Sequence, residues 1–491
     1  MKSQGFNRGK AAFASVLIVA GVLYAIISLV NHYLFKTYAL DLGIYTHALY
    51  DYAHFRAADC GMFKDTSLNL LSDHFDLYLP LLSPLVYVFG SYTLLIVQIV
   101  ATLLGGWGVY KLIRLYTDDH KMPLLATVVF FFSFGIIHAI AFDYHSNVLA
   151  AMLLPWLLFF LKQRRFVLSS LFVVLFVIGK ENMSLWLFFI TLGLMWDYRK
   201  DRKALWHLLA YAAFALAYFF IVNMLVMPAL GGSGGGFARY AHLGDNYAEI
   251  AKNLLKNPAE VVRLLFVNTS TNTNYDGVKA EFYYCALASG MLLTLLKPNY
   301  LLMLVPLIAQ KMLSIDPNFW GVSFQYSVEF IPVLVVSSFL VIIRLKNGKW
   351  RLTLSIALLL STLLTTFYTI GVPKSTIMVD QLCVYQGRHY EQKEFDVRYA
   401  RELMAMIPDD ASVSAASMFV PHLALREGIQ NYANANGTVD TEYILITEHY
   451  VNYLRKGKLV FTNRSDYETV SSDGKLHLLR RKPNGETHFV K

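Results

Sequence analysis

Charge is what this chain has least of. Asp, Glu, Lys and Arg supply 16% of its 491 residues, where a soluble domain carries about 25%. With 56% of residues hydrophobic, that shortage excludes an ordinary soluble fold. Cysteine is scarce as well. Cys60, Cys285 and Cys383 are far apart, which leaves no metal-type cysteine spacing and no disulfide framework. A Cys60–Cys383 disulfide would need both thiols on an oxidising side and is not favoured. A phosphate loop is also missing. The run Gly231-Gly232-Ser233-Gly234-Gly235-Gly236 has no Gly-Lys-Ser/Thr after it and no strand–helix context. It reads as a flexible hinge in a loop. The net charge of +9 sits in short basic segments, the pattern that orients membrane segments. It implies no nucleic-acid partner.

What is abundant is apolar runs separated by short charged stretches, the pattern of a polytopic membrane protein. Lys2, Arg8 and Lys10 precede the first run, near 11–30, and place the N-terminus on the cytoplasmic side. No small-residue cleavage site follows that run, so it reads as an uncleaved first helix and not a signal peptide. Further spans are expected near 92–115, 123–141, 147–161, 205–226, 278–296, 300–313, 328–345 and 352–370. The stretch Phe166–Trp196 is apolar except at Gly179-Lys180-Glu181-Asn182, and both of its ends are basic. If both ends are cytoplasmic, it must be two short helices. Each arm has roughly 14 residues, or about 21 Å, which falls short of a hydrocarbon core about 30 Å thick. The turn should then lie in a water-filled or protein-lined cavity, where ionisable groups are costly and are usually paired or functional. Counting these two, eleven spans are expected, with the C-terminus outside.

Two segments are too polar to span. The first outer loop, 31–90, carries Asp41-Leu42-Gly43 and Asp73-His74-Phe75-Asp76. Its LYLPLLSPLVYVFG portion reads as interfacial or re-entrant. The loop 229–277 contains an amphipathic helix over 247–265. From residue 373 the composition becomes mixed, which predicts a transmembrane domain over 1–372 and an extracytoplasmic α/β domain over 373–491. In the latter, 396–406 reads as helix, and 411–417, 443–447 and 459–462 as strands.

The chain resembles an uncharacterised family of prokaryotic predicted membrane proteins grouped with the GT-C fold glycosyltransferases. The matching pieces are Asp41-Leu42-Gly43-Ile44-Tyr45, Asp73-His74-Phe75, Pro84-Leu85, Gln98, Phe142-Asp143-Tyr144-His145, Lys180-Glu181, Ile407-Pro408, Val413-Ser414-Ala415 and Pro421-His422-Leu423. The resemblance implies an all-α GT-C-like membrane domain, with an acidic residue early in the first outer loop serving the chemistry. Asp41 holds that position. It also implies a polyprenyl-phosphate sugar as donor, with its tail among membrane lipids. No Asp-x-Asp or Glu-x-Asp stands near Asp41, so no metal ligand is assigned; a divalent cation stays open as a cofactor. Asp41, Asp73, His74 and Glu181 are the candidate catalytic residues, and Tyr45, Asp143, His145 and Lys180 the candidate substrate-binding residues. A carboxylate can accept the proton of an acceptor hydroxyl or amine, and Lys180 or a histidine can stabilise a departing phosphate. The leading expectation is a glycosyltransferase acting on the outer face. The alternatives are a transporter or flippase for a lipid-linked precursor, and a non-catalytic membrane scaffold.

Overall fold

The computed structural model describes residues 2–59, 69–232, 237–371, 374, 379–432, 441–456 and 466–483. Helices dominate, and the apolar runs form them. Gly9–Tyr33, Tyr78–Arg114, Arg202–Ala229 and Gly348–Gly371 are long and apolar enough to cross a membrane. Lys121–Phe131 and Phe134–Ala141 make a fifth candidate, bent by 45° at the break. Ser133 lies in that break with an extended backbone. Ser146–Lys162, Phe166–Val177, Met183–Tyr198 and Phe330–Ile343 are apolar but shorter. Among the described residues, length and apolarity therefore identify up to five spans. The other helices of the expected eleven are too short, broken or insufficiently apolar to be counted that way.

The run Phe166–Trp196 is broken. Helices Phe166–Val177 and Met183–Tyr198 have 12 and 16 residues, or roughly 18 and 24 Å, joined through a turn at 178–182. The amphipathic stretch 247–265 also divides, into Tyr247–Lys256 and Pro258–Phe266. Proline cannot donate to the preceding turn and its ring disfavours a helical residue before it, so Pro258 starts a helix instead of continuing one.

The chain divides into two compact units. One comprises Met1–Ile27, Asp73–Asp76 and Gln98–Cys383; the other comprises Ser28–Ser72, Leu77–Val97 and Val384–Lys491. In the first unit, helices approach closely at small residues. A Cβ on Gly106 would run into the Phe131 ring, and one on Gly105 would meet Met152 Sδ at 2.6 Å. Gly106→Val should therefore force these helices apart at a cost of about 1–3 kcal/mol. A lower melting temperature of the purified variant in detergent, with Gly9→Val as control, is the measurement. Gly290 has φ 124°, and a Cβ there would meet Ser338 Oγ at 2.7 Å. This glycine bends the stretch that follows helix Val278–Ala286.

The second unit holds a mixed five-stranded sheet. Its strands are β1 (Val413–Ala415), β2 (Ile429–Asn431), β3 (Tyr443–Thr447), β4 (Tyr467–Ser472) and β5 (Leu476–Arg481), in the order β2-β1-β3-β5-β4. β1 is parallel to β2 and β3, while β5 is antiparallel to β3 and β4. The expected strand at 443–447 is β3, and the one at 411–417 shortens to β1. The expected helix at 396–406 is Val397–Ala405, capped by Asp396, whose side chain accepts from the backbone N–H of Arg398 and Tyr399. Residues 459–462 lie outside the described residues, as do Cys60 and 233–236.

In this unit the first loop and the C-terminal segment share one core. His32 stacks on His422 at 3.9 Å, and Phe35 packs against Phe395 and Phe419. Lys36 Nζ donates to the carbonyls of Arg388 and His389 at 3.0 and 2.8 Å. The Ala39 N–H donates to Ser417 Oγ at 3.1 Å. A Cβ on Gly43 would meet Val420 at 3.0 Å. The buried residues of 34–49 and those around 395 and 420 therefore form this core jointly.

Candidate functional site

Three polar segments far apart in sequence meet in the first unit. They are Asp73–Asp76, Asp143–His145 and the turn 178–182. Each interrupts a helical stretch. The turn closes through a hydrogen bond from the Met183 N–H to the Lys180 carbonyl at 3.0 Å. At Asp143 the backbone has φ 36°, in the left-handed region that Asp tolerates better than most residues. Gln98 splints this break. Its amide donates to the carbonyls of Asp143 and Ala139 at 2.8 and 3.2 Å. Its Oε1 accepts from the His145 N–H at 3.0 Å.

His74 stands at the centre. Its Nδ1 lies 3.3 Å from Glu181 Oε1, and its Nε2 lies 3.4 Å from Lys180 Nζ. The Phe75 N–H donates to the other Glu181 oxygen at 3.1 Å. A lysine ammonium has protons only to give. The contact therefore requires Nε2 to accept, which leaves the ring proton on Nδ1, directed at Glu181. Burial pushes the Glu181 carboxyl up, but the His74 ring, the Lys180 ammonium and its own backbone N–H push it down by more, to about 2. A carboxylate that acidic is a poor proton acceptor at neutral pH. It is better suited to orient His74. The Tyr144 hydroxyl donates to Asp76 Oδ2 at 3.4 Å and so ties the second segment to the first. Asp73 and His74 are half-buried, while Asp76, Asp143 and His145 are buried.

The same unit holds further paired polar groups. Asn182 Nδ2 donates to Gln310 Oε1 at 3.0 Å. Asn147 Nδ2 donates to Glu329 Oε1 at 2.6 Å. Lys311 Nζ donates to the carbonyls of Gly321 and Tyr326 at 2.6 and 3.2 Å. Glu329 and Lys311 are not among the residues expected from the sequence. Both were detectable as ionisable residues inside the apolar runs 328–345 and 300–313, where such groups are rare and paired.

Asp41 and Tyr45 lie in the second unit. Asp41 is half-buried in the π-helical turn Ala39–Gly43, and Tyr45 is buried in the helix Ile44–Ala53. That helix has Gly43 at its N-cap. On its far side, Asp51 pairs with His47 at 3.3 Å and with Arg56 at 3.4 Å. Thus six of the eight candidate residues gather in one unit, and Asp41 and Tyr45 belong to the other. Among the described residues, no group of three His, Cys, Asp or Glu side chains is placed to hold a metal ion.

The fold has known counterparts. The apo structure of ArnT from Cupriavidus metallidurans superposes with a TM-score of 0.51, covering 98% of each chain at 9% identity. ArnT from the same organism bound to undecaprenyl phosphate gives 0.48 at 9% identity, covering 96% of this chain and 98% of that one. The Archaeoglobus fulgidus oligosaccharyltransferase, tethered to an acceptor peptide containing the NVT sequon, gives 0.42 at 12% identity, covering 91% and 68%. At such identities the likeness is one of fold, and the apo ArnT superposition carries it. No curated protein matches the sequence. The family described as predicted membrane protein, DUF2079, matches residues 31–473. That stretch takes in all three segments of the polar cluster together with Asp41 and Tyr45, and the chain belongs to this family of multi-pass membrane proteins.

Proposed function

We propose that the protein is an integral membrane glycosyltransferase. In this reading it transfers a sugar from a polyprenyl-phosphate donor to an acceptor on the extracytoplasmic face. The observation that carries it is the gathering of Asp73, His74, Asp76, Lys180 and Glu181, from separate segments, in one unit of a chain with an ArnT-like fold. The acceptor hydroxyl or amine attacks the anomeric carbon, and the bond from that carbon to the phosphate oxygen breaks. The acceptor's proton passes to a carboxylate; Asp41 is the choice that the sequence resemblance favours, and Asp73 is the one in the same unit as Lys180. The polyprenyl phosphate leaves as an anion, and Lys180 stabilises it, with Glu181 and His74 holding the ammonium in place. Asp143 and His145 line the substrate site in this reading. ArnT has been seen with undecaprenyl phosphate, a donor-type lipid without its sugar, which agrees with this choice of donor.

The test is lipid and glycan profiling of a deletion strain. An accumulated polyprenyl-phosphate sugar, together with a sugar missing from a surface polymer, is the expected result. Unchanged profiles of both would refute the reading.

The topology that goes with this function has eleven spans, a cytoplasmic N-terminus, and both 31–90 and 373–491 outside. Basic turns such as Lys162–Arg165 and Arg344–Arg351 support it through the positive-inside rule. Cysteines introduced at Ser67 and at the exposed Ser472 should react with an impermeant maleimide in intact cells. Labelling of both only after lysis would reverse the orientation.

A further inference from the structure

At one end of the helical unit lies a cavity of about 350 Å³, lined by Tyr116, Lys162, Asp197, Tyr198, Lys297 and Arg344. Its volume is that of a small-ligand site. None of these residues belongs to the polar cluster described above. Lys297 is buried, at 4% exposed. Lys162 and Arg344 are exposed. The lining thus holds three cations and one carboxylate.

A simpler account would have these cations offset helix dipoles. Lys162 and Arg344 do stand at the C-terminal ends of Ser146–Lys162 and Phe330–Ile343, where cations are favoured. Lys297 does not fit that account. It lies where two helix ends meet, past the C-terminal end of Leu292–Thr294, whose last carbonyl accepts from its N–H at 2.8 Å, and at the N-cap of Pro298–Met312, so the two dipole contributions oppose each other there. Asp197, 3.6 Å away, is its partner. Burial pulls the Lys297 ammonium down, Asp197 raises it and Arg344 pulls it down again, with a lowered value as the outcome. Among the described residues, Lys162 and Arg344 make no ion pair; Lys162 rests on the Tyr116 ring at 4.6 Å. One carboxylate is therefore set against three cations around an open volume.

We propose that this cavity binds a phosphate group, either the headgroup of an anionic phospholipid or a free phosphate. A phosphate would neutralise the unpaired charge and accept from the two tyrosine hydroxyls. Basic pockets between membrane helices bind anionic headgroups in this way.

The experiment uses the full-length protein in nanodiscs. One arm measures retention of phosphatidylglycerol by native mass spectrometry in discs of phosphatidylcholine doped with it. The other measures the shift in melting temperature caused by inorganic phosphate in pure phosphatidylcholine discs, against chloride at equal ionic strength. Binding in the first arm alone identifies the lipid as ligand, and binding in the second identifies free phosphate. In either case Lys162→Gln/Arg344→Gln should weaken binding by roughly 30-fold. Lys346→Gln/Lys349→Gln, which removes the same charge from exposed positions outside the cavity, should leave it unchanged. Asp197→Asn, which removes the competing carboxylate, should tighten it. The proposal fails if neither probe binds, or if the control pair weakens binding as much as the cavity pair.

Discussion

Asp41→Asn should reduce transfer by roughly 10²–10⁴-fold, the contribution of a positioned general base, while the protein remains folded. Asn keeps the shape of the side chain and removes its capacity to take a proton. The residue is half-buried in the short turn Ala39–Gly43, and the Ile44 N–H donates to its backbone carbonyl. A backbone contact survives the substitution. The competing role is that of a helix cap, in which Asn replaces Asp nearly as well. The helix Ile44–Ala53 has Gly43 at its N-cap, which removes the simplest form of that alternative. Complementation of a deletion strain, with membrane levels checked by blot, separates the two. Full activity of Asp41→Asn would move the proton-accepting role to Asp73.

Glu181→Gln should reduce both activity and acid sensitivity, and the second effect is the diagnostic one. With its carboxyl held at about 2 against an ordinary 4.5, Glu181 binds fewer protons in the folded protein than in the unfolded one between those values. Its stabilisation is present in full above pH 4.5 and is lost as pH falls through the window toward 2. Unfolding followed by tryptophan fluorescence in nanodiscs should show an acid limb in the wild type that flattens in Glu181→Gln. At neutral pH the variant should lose roughly 2 kcal/mol, the worth of hydrogen bonds to a charged group. Transfer should fall by roughly 10²-fold as His74 and Lys180 lose their orientation. An unchanged acid limb would show that the His74–Glu181 contact contributes nothing to the fold. Lys180→Arg, which keeps the charge, should retain more transfer activity than Lys180→Gln if the ammonium serves a leaving phosphate.

The break at Gly179–Asn182 was legible because basic residues at both ends of Phe166–Trp196 demand an even number of crossings, and charged residues mark where the chain turns. β3 and the helix begun by Asp396 were legible from local pattern, which acts over a few residues. The hairpin β4–β5 was missed because its alternation is weak, with exposed polar residues along most of β4. The division at Pro258 could have been read from the proline alone.

The sequence by itself determined that this chain is a multi-pass membrane protein, that Phe166–Trp196 turns in its middle, and which acids and histidines interrupt the apolar runs. These follow from short-range patterns of hydropathy and charge. Only the tertiary structure decided which interruptions meet. His74 finds Glu181 across 107 residues and Asn147 finds Glu329 across 182, while Asp41 joins the unit built with the C-terminal sheet. Buried polar groups must satisfy one another wherever helix packing brings them together. That pairing is fixed by the geometry of the bundle and leaves no local mark in the sequence.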